Sequence, residues 1–189
     1  GEPVFQSYHS TYDCDHHNFF PSGTVGIPPV QAGYLGLAYR YAREHGYDVP
    51  QAHFWAVTGD SEFREGSMYE AVPDLSEREM GTLTWIVDYN RQSLDWHRIT
   101  NNKVMDGTDA DRIERTMSAN GWDVIQIRHG HKRQTLFKSP GGEVFKDFLE
   151  KDLADYELQA LLLVQDMKTL KKGIAKEHPK MKKFLEGVS

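Results

Sequence analysis

Two polar side chains, Asp60 and Asn90, stand thirty positions apart, and a short apolar run precedes each of them. The runs cover residues 53–57 and 83–87. If both are strands with a helix between them, a right-handed crossover makes them parallel and brings both side chains to one edge of the sheet. A carboxylate and an amide oxygen suit Mg²⁺, which completes its shell with phosphate oxygens and water. The sequence therefore predicts a magnesium site that also takes an anion, although an aspartate at a strand end is common in α/β proteins.

The elements that must position this site alternate between helix and strand. Three- and four-residue apolar spacing predicts helices over residues 30–45 and 67–80, and a third helix that Thr108 caps and Asn120 and Gly121 close. A third apolar run, residues 122–127, predicts a third strand. The strands are continuous apolar runs, which is typical of a parallel sheet flanked by helices on both faces. The fold class is therefore α/β, and this arrangement puts Trp55 and Trp85 in the core.

Length and composition indicate a single globular domain over residues 1–189. Within it we expect an irregular segment at 1–29, a core at 30–130 and a helical C-terminal part at 142–189. The net charge of −6 argues against a nucleic-acid binder, and no apolar run approaches the length of a membrane-spanning helix. The single cysteine, Cys14, fits a reducing compartment, so we expect a cytoplasmic protein.

Gly59, Asp60 and Ser61, followed by Asn90, resemble the Gly-Asp-Gly…Asn motif of thiamine-diphosphate enzymes. The similarity extends over roughly residues 7 to 130, in an ordered series of segments. These segments resemble the homodimeric pyruvate dehydrogenase first component and, in part, transketolase: the cofactor loop and helix start at 20–32, the following helix start at 62–71, the Asn-x-Asn-x-Gln-x-Leu-Asp run at 88–95 and the next strand at 120–125. The resemblance implies the diphosphate-binding domain of the thiamine-diphosphate-binding fold.

The same resemblance implies the roles of individual residues. Asp60 and Asn90 become Mg²⁺ ligands through their side chains, and Gln92 becomes one through its backbone carbonyl. The implied cofactor-binding set is Gly23, Val25, Ile27, Gly59, Asp60, Ser61, Asn90 and Gln92.

Three positions depart from the family pattern. Ser61 stands where the family has its second glycine. It still offers its backbone N–H, but it adds a Cβ where the family uses glycine's freedom, so cofactor binding is expected to be weaker. Asp88 replaces the first asparagine of the Asn-x-Asn run, and Pro28 replaces a glycine of the cofactor loop.

The activity that the resemblance implies is that of a 2-oxo-acid dehydrogenase first component. It would act on a 2-oxo acid such as pyruvate and pass the product to the lipoyl group of an acyltransferase partner. The family's activating glutamate is expected on a second domain or subunit, so we interpret the chain as a fragment or as one subunit of a split, oligomeric enzyme. The alternatives are a transketolase-type ketol transferase subunit and a non-catalytic module that retains the fold.

Other polar residues have weaker claims to a function. His9, Asp13, His16 and His17 fit no zinc spacing. His129 and His131 follow the third predicted strand, where they would either contact substrate or lie in a solvated turn. A lysine-rich C-terminal segment forms either a docking face for an acidic partner or the solvated face of a helix; its lysines are Lys168, Lys171, Lys172, Lys176, Lys180, Lys182 and Lys183.

Overall fold

The computed structural model describes residues 24–93 and 109–188. The chain divides into two compact units, which are described separately. Among the described residues, the first unit holds 24–91 and 116–123, and the second holds 92–93, 109–115 and 124–188. The prediction of one domain over residues 1–189 stays a prediction.

The first unit is built on two parallel strands joined by a helix. Helix α1 spans Ile27–Glu44, strand β1 Phe54–Gly59, helix α2 Gly66–Glu77 and strand β2 Leu83–Asp88. A 3₁₀ turn, Asp60–Arg64, links β1 to α2. The two strands pair in parallel from Phe54 opposite Leu83 to Gly59 opposite Asp88. These elements confirm the predicted α/β class and the first two predicted strands.

Helix α1 begins earlier than the sequence pattern predicts. The irregular segment was expected to extend to residue 29, but residues 27–29 are already helical. The reason is that Pro28 and Pro29 fall in the first turn, where backbone N–H groups have no partner inside the helix and a fixed φ favours the helical conformation.

The core of the first unit lies on one face of the sheet. Buried side chains of α2, Ala71 and Leu75, meet Met80 there. Side chains from α1, from β2 and from the chain at position 122 pack against them, namely Val30, Leu37, Leu83, Trp85 and Trp122. Trp85 therefore has its predicted place in the core.

The opposite face of β1 is exposed among the described residues. Ala56 and Thr58 are 7% and 2% exposed, whereas Trp55 and Val57 between them are 63% and 69% exposed. The prediction that Trp55 is a core residue is wrong, because α1 and α2 both contribute to the cluster on the other face. The described helices cover one face of the sheet.

The prediction of a third strand is also wrong, because residues 123–130 are irregular. Ile125 and Ile127 are 87% and 96% exposed. A strand forms only where its backbone groups pair with a neighbouring strand, and the sheet of the described residues has only β1 and β2. The side chains of Gln126 and Arg128 instead bond to Glu114 and Asp111.

Helix α3, Asp109–Ala119, ends as the sequence predicts. Gly121 has a φ of +79°, and the N–H of Trp122 bonds to the carbonyl of Met117, so a left-handed glycine closes the helix. Ile113 and Met117 are buried, which confirms its predicted core face. The predicted cap, Thr108, lies outside the described residues.

The second unit is helical, which confirms the prediction for the C-terminal part over residues 142–188. Its helices are α4 (His131–Phe137), α5 (Gly142–Asp147), α6 (Asp155–Leu162), α7 (Met167–Glu177) and α8 (Lys182–Glu186). Phe148, Leu153, Met181 and Phe184 form its buried core. Asp166 caps α7 by accepting hydrogen bonds from the N–H groups of Lys168 and Thr169. Of the seven C-terminal lysines all but Lys171 are exposed, as on a solvated helix face.

Within the two described stretches, no helix has the combination of length and apolar character that crossing a membrane requires.

Candidate functional site

The two predicted metal ligands lie just beyond the carboxyl ends of the two parallel strands, at the same edge of the sheet. Gly59 and Asp88 form the last pair of the parallel register. Asp60 follows the first strand directly, and Asn90 lies two residues beyond the second. The parallel arrangement that the sequence predicted is therefore present, while the role of these residues as ligands stays a prediction.

Asp60 is fully buried at the start of the 3₁₀ turn, with 0% of its surface exposed. Both of its carboxylate oxygens are buried. Burying a carboxylate is costly unless hydrogen bonds or a cation compensate its charge. A carboxylate is also a hard oxygen donor of the kind that Mg²⁺ binds, so the type and the place of Asp60 fit a magnesium ligand.

Asn90 is exposed, and its side chain bonds to Asp88. The amide nitrogen of Asn90 donates a hydrogen bond of 3.3 Å to a carboxylate oxygen of Asp88. The bond uses the nitrogen, so it does not consume the amide oxygen that a cation would use. Asp88, which departs from the family pattern, thus bonds to the amide of Asn90, and the asparagine of the family could accept the same bond. Gln92, which begins the second unit, is exposed, and its carbonyl as a third ligand stays a prediction.

Ser61 sits half-buried in the 3₁₀ turn on an ordinary backbone. Among described residues other than glycine, only Glu79, Arg91 and His129 have a positive φ. The backbone at Ser61 therefore makes no use of glycine's conformational freedom, and the serine causes no backbone strain there. This removes the physical reason for expecting Ser61 to weaken cofactor binding, and its effect on affinity stays untested.

The loop before α1 approaches the segment after β1 at Gly26. Gly26 has a φ of +79°, and a Cβ there would lie 2.5 Å from the Cβ of Glu65. Its neighbours Val25 and Ile27, predicted to line the cofactor, are 38% and 39% exposed. Glycine is thus required at this approach for both conformation and space. Gly23, also predicted to bind cofactor, lies outside the described residues.

Glu62 is the residue that the sequence analysis missed. Its carboxylate accepts a 2.8 Å hydrogen bond from the N–H of Gly59 and a 2.7 Å hydrogen bond from the N–H of Gly26. The hydroxyl of Ser67 donates to the carbonyl of Gly26 at 3.1 Å. The first bond has a sequence signal, because a glutamate three residues after a helix cap is the spacing of a capping box. The second has none, since it joins residues 36 positions apart.

The two C-terminal histidines have different environments. His129 pairs with Glu150 at 2.9 Å and packs edge-on against Phe137, so it has a structural place in the second unit rather than in a solvated turn. His131 begins α4 and is exposed. The sequence candidates His9, Asp13, Cys14, His16 and His17 lie outside the described residues. Within those residues, no group of three or more His, Cys, Asp or Glu side chains is placed to hold a metal ion.

The fold and the residues at the strand ends define the class: an α/β protein with an aspartate and an asparagine just beyond the ends of two parallel strands. No protein-family model matches the chain. The chain is 28% identical over 120 residues, 63% of its length, to the pyruvate dehydrogenase E1 component of Corynebacterium glutamicum. It is also 28% identical over 140 residues, 73% of its length, to the pyruvate dehydrogenase E1 component of Buchnera aphidicola subsp. Baizongia pistaciae.

These similarities are distant, and they are short relative to the matched proteins. The matched segments amount to 12% of the first relative and 15% of the second. Both relatives carry the enzyme name that the sequence motifs pointed to, which supports the resemblance at the level of an enzyme family.

Proposed function

We propose that this chain supplies the magnesium- and diphosphate-binding half of a thiamine-diphosphate site in a 2-oxo-acid dehydrogenase first component. One observation carries the proposal. A fully buried aspartate and an asparagine follow two neighbouring parallel strands at the edge where such sheets bind ligands. The two relatives named pyruvate dehydrogenase E1 component support the choice of enzyme.

Each predicted site residue has a role in this proposal. Asp60, Asn90 and the carbonyl of Gln92 would hold Mg²⁺ through hard oxygen atoms. The backbone N–H of Ser61 would face the diphosphate, and Gly59 would let the backbone approach it. Gly23, Val25 and Ile27 would flank the rings. Thiamine diphosphate, when bound, supplies a carbanion that adds to a keto carbon and then holds an electron pair. The residues of this chain bind and orient the cofactor.

The remaining parts of the proposed enzyme come from outside the described residues. A second domain or subunit would bring the activating glutamate, and helices on the second face of the sheet would complete the fold. The substrate would be a 2-oxo acid such as pyruvate. The proposed setting is a cytoplasmic oligomer, and the acceptor is a lipoyl group on an acyltransferase.

Calorimetric titration of the 189-residue chain with thiamine diphosphate tests the proposal. We expect binding in the presence of Mg²⁺ and loss of binding when EDTA removes it. Asp60→Asn keeps the size of the side chain and one oxygen donor but removes its charge. It should weaken binding by at least about tenfold, the lower end of the effect of removing a residue that only supports a metal ligand. Asp48→Asn changes an exposed aspartate of the same unit and should bind like the wild type. If the wild type shows no Mg²⁺-dependent binding, the proposal fails.

Turnover then decides between the two enzyme activities. In the presence of the proposed second domain or subunit, reduction of an artificial electron acceptor with pyruvate as substrate would support the dehydrogenase. Transfer of a ketol group from a ketose phosphate would instead identify a transketolase-type enzyme. Cofactor binding without either activity would favour a non-catalytic module.

A further inference from the structure

We propose that Glu62 is a positioning residue that ties the loop before α1 to the carboxyl end of β1 and so holds the two flanks of the cofactor site together. The inference rests on the proposed function for its consequence in binding. Its structural part, a carboxylate bridging two separate segments, can be tested without any cofactor.

The bridge consists of two hydrogen bonds to one carboxylate. One oxygen of Glu62 accepts from the N–H of Gly59 at 2.8 Å, and the other accepts from the N–H of Gly26 at 2.7 Å. Both bonds are partly buried. Hydrogen bonds to an ionised acceptor are roughly twice as strong as neutral ones. One side chain therefore fixes the end of β1 and, at the same time, the residue before α1.

Two further contacts hold Gly26 in the same place. The hydroxyl of Ser67 donates to the carbonyl of Gly26 at 3.1 Å. The ideal Cβ of Gly26 would lie 2.5 Å and 2.7 Å from the Cβ and Cγ of Glu65, so the chain segments touch with no room for a side chain. The peptide groups on both sides of Gly26 are thus bonded to the segment after β1.

The bridge joins residues with different proposed tasks. Gly59 precedes the metal ligand Asp60, and Gly26 lies between Val25 and Ile27, which flank the proposed cofactor rings. Supporting groups that orient metal ligands typically change metal affinity by roughly 10- to 100-fold when they are removed. We therefore expect Glu62 to act on cofactor affinity through the placement of these neighbours, without itself touching the metal.

Glycine amide NMR signals test the bridge directly. Val25–Gly26 is the only Val–Gly step in the sequence, and Thr58–Gly59 is the only Thr–Gly step. Labelling glycine with ¹⁵N and either valine or threonine with ¹³C at the carbonyl therefore identifies each amide signal without a full assignment. In the wild type, we expect both amides to be shifted downfield and protected from exchange with solvent.

The variants should affect the two signals in different ways. Glu62→Ala removes both acceptors, so both amides should shift and exchange faster. Glu62→Gln keeps the size of the side chain but has one acceptor oxygen, so at least one of the two amides should lose its bond. Glu77→Gln, an exposed glutamate on α2, is the matched control and should move neither signal. If Glu62→Ala moves only Gly59 or neither amide, the bridge between the segments is refuted.

Calorimetry with Mg²⁺ and thiamine diphosphate tests the effect on the site. We expect Glu62→Ala to weaken binding by roughly 10- to 100-fold, and Glu62→Gln by less. Unchanged affinity together with displaced amides would refute the positioning role. Tighter binding by Glu62→Gln would also refute it, because the carboxylate would then act by repelling the anion. If the wild type fails to bind, the proposed function fails, and the amide signals still decide whether the bridge exists.

Discussion

Gly26 meets two separate requirements, a left-handed backbone and a space too small for a side chain. Gly46 has the same φ of +79° but has nothing within 4 Å of the ideal Cβ position. The two glycines therefore allow the cost of conformation to be separated from the cost of a steric clash. This separation matters for the site, because the clash at Gly26 is with Glu65, in the segment that follows the predicted metal ligand.

We predict that Gly26→Ala destabilises the first unit more than Gly46→Ala does. The left-handed conformation costs an alanine about 1–2 kcal/mol at either position. Only Gly26→Ala adds a clash with Glu65, and overpacking of this kind costs typically about 1–3 kcal/mol more. Urea unfolding followed by tryptophan fluorescence measures the difference, since three of the four tryptophans, Trp55, Trp85 and Trp122, lie in the first unit. Equal losses would show that the loop moves aside easily and that the approach at Gly26 is loose.

The sequence predicts the position of a candidate site residue well where that position depends on neighbours along the chain. Asp60 and Asn90 each follow a strand, so parallel pairing alone brings them to one edge. Glu62 could not be assigned its second bond, because Gly26 lies 36 residues away and the contact depends on how α1 packs. The backbone conformation at Ser61 could not be predicted for a related reason: the sequence shows which residue replaces a glycine but not which φ the backbone adopts there.

At the scale of elements, a polar network ties α1 to α2 on the surface of the first unit. The hydroxyl of Tyr34 donates to Asp74 at 2.8 Å, and Arg78 forms an ion pair with the same carboxylate oxygen at 2.8 Å. Arg40 of α1 also donates to the backbone carbonyl of Arg78. Arg78 first and Tyr34 second hold the pKa of the Asp74 carboxyl below its ordinary value of 3.8. The same hydrogen bond raises the pKa of Tyr34, because it stabilises the protonated hydroxyl.

We predict that the contribution of Asp74 to stability is lost in acid. Its pKa is lower in the folded state than in the unfolded state, so its stabilisation is present above about pH 3.8 and disappears as the pH falls through the lower, folded value. Asp74→Asn should therefore be less stable than the wild type at neutral pH, and this gap should close below about pH 3.8. Tyr34→Phe removes the hydroxyl that bonds to Asp74 and keeps the ion pair with Arg78, so the loss of stability at neutral pH should be smaller than for Asp74→Asn. The measurement is urea unfolding at a series of pH values, and a gap that is constant across the series would contradict the prediction.

Helices were predicted more reliably than the sheet, for a physical reason. A helix pairs its backbone within the segment, so apolar spacing and closing residues such as Gly121 suffice to predict it. A strand requires a partner, and the apolar residues 122–127 lack one among the described residues. Trp122 in that segment nonetheless packs against the core. Its indole N–H donates to the carbonyl of Val72 at 2.9 Å, and the centroid of its ring lies 4.5 Å from that of Trp85. Hydrophobicity therefore failed to predict the conformation of this segment, although its first residue packs against the core.

At the scale of the whole molecule, the exposed side of the sheet bears on the proposed fold. Trp55 and Val57 present large apolar surface there, and Ile86 of β2 is 47% exposed. Parallel sheets in α/β proteins are normally covered on both faces. The chain matches only 12% and 15% of its two relatives, so the proposed enzyme includes much that these residues do not contain. The completed fold, with helices on the second face, would cover these side chains.

The two compact units each have a core, and this determines how unfolding should spread. Phe148 is 2% exposed in the core of the second unit, and Leu75 is 1% exposed in the core of the first. Replacing a buried phenylalanine with alanine costs about 3–5 kcal/mol, and replacing a buried leucine costs about 2–5 kcal/mol. Because proteins open in cooperative units, we predict that Phe148→Ala lowers amide hydrogen-exchange protection in residues 131–188 and leaves that of α1, β1 and α2 near its wild-type level. Leu75→Ala should show the reverse pattern, which makes each variant the control for the other. A loss of protection throughout the chain in both variants would instead support a single domain over residues 1–189, as composition and length first indicated.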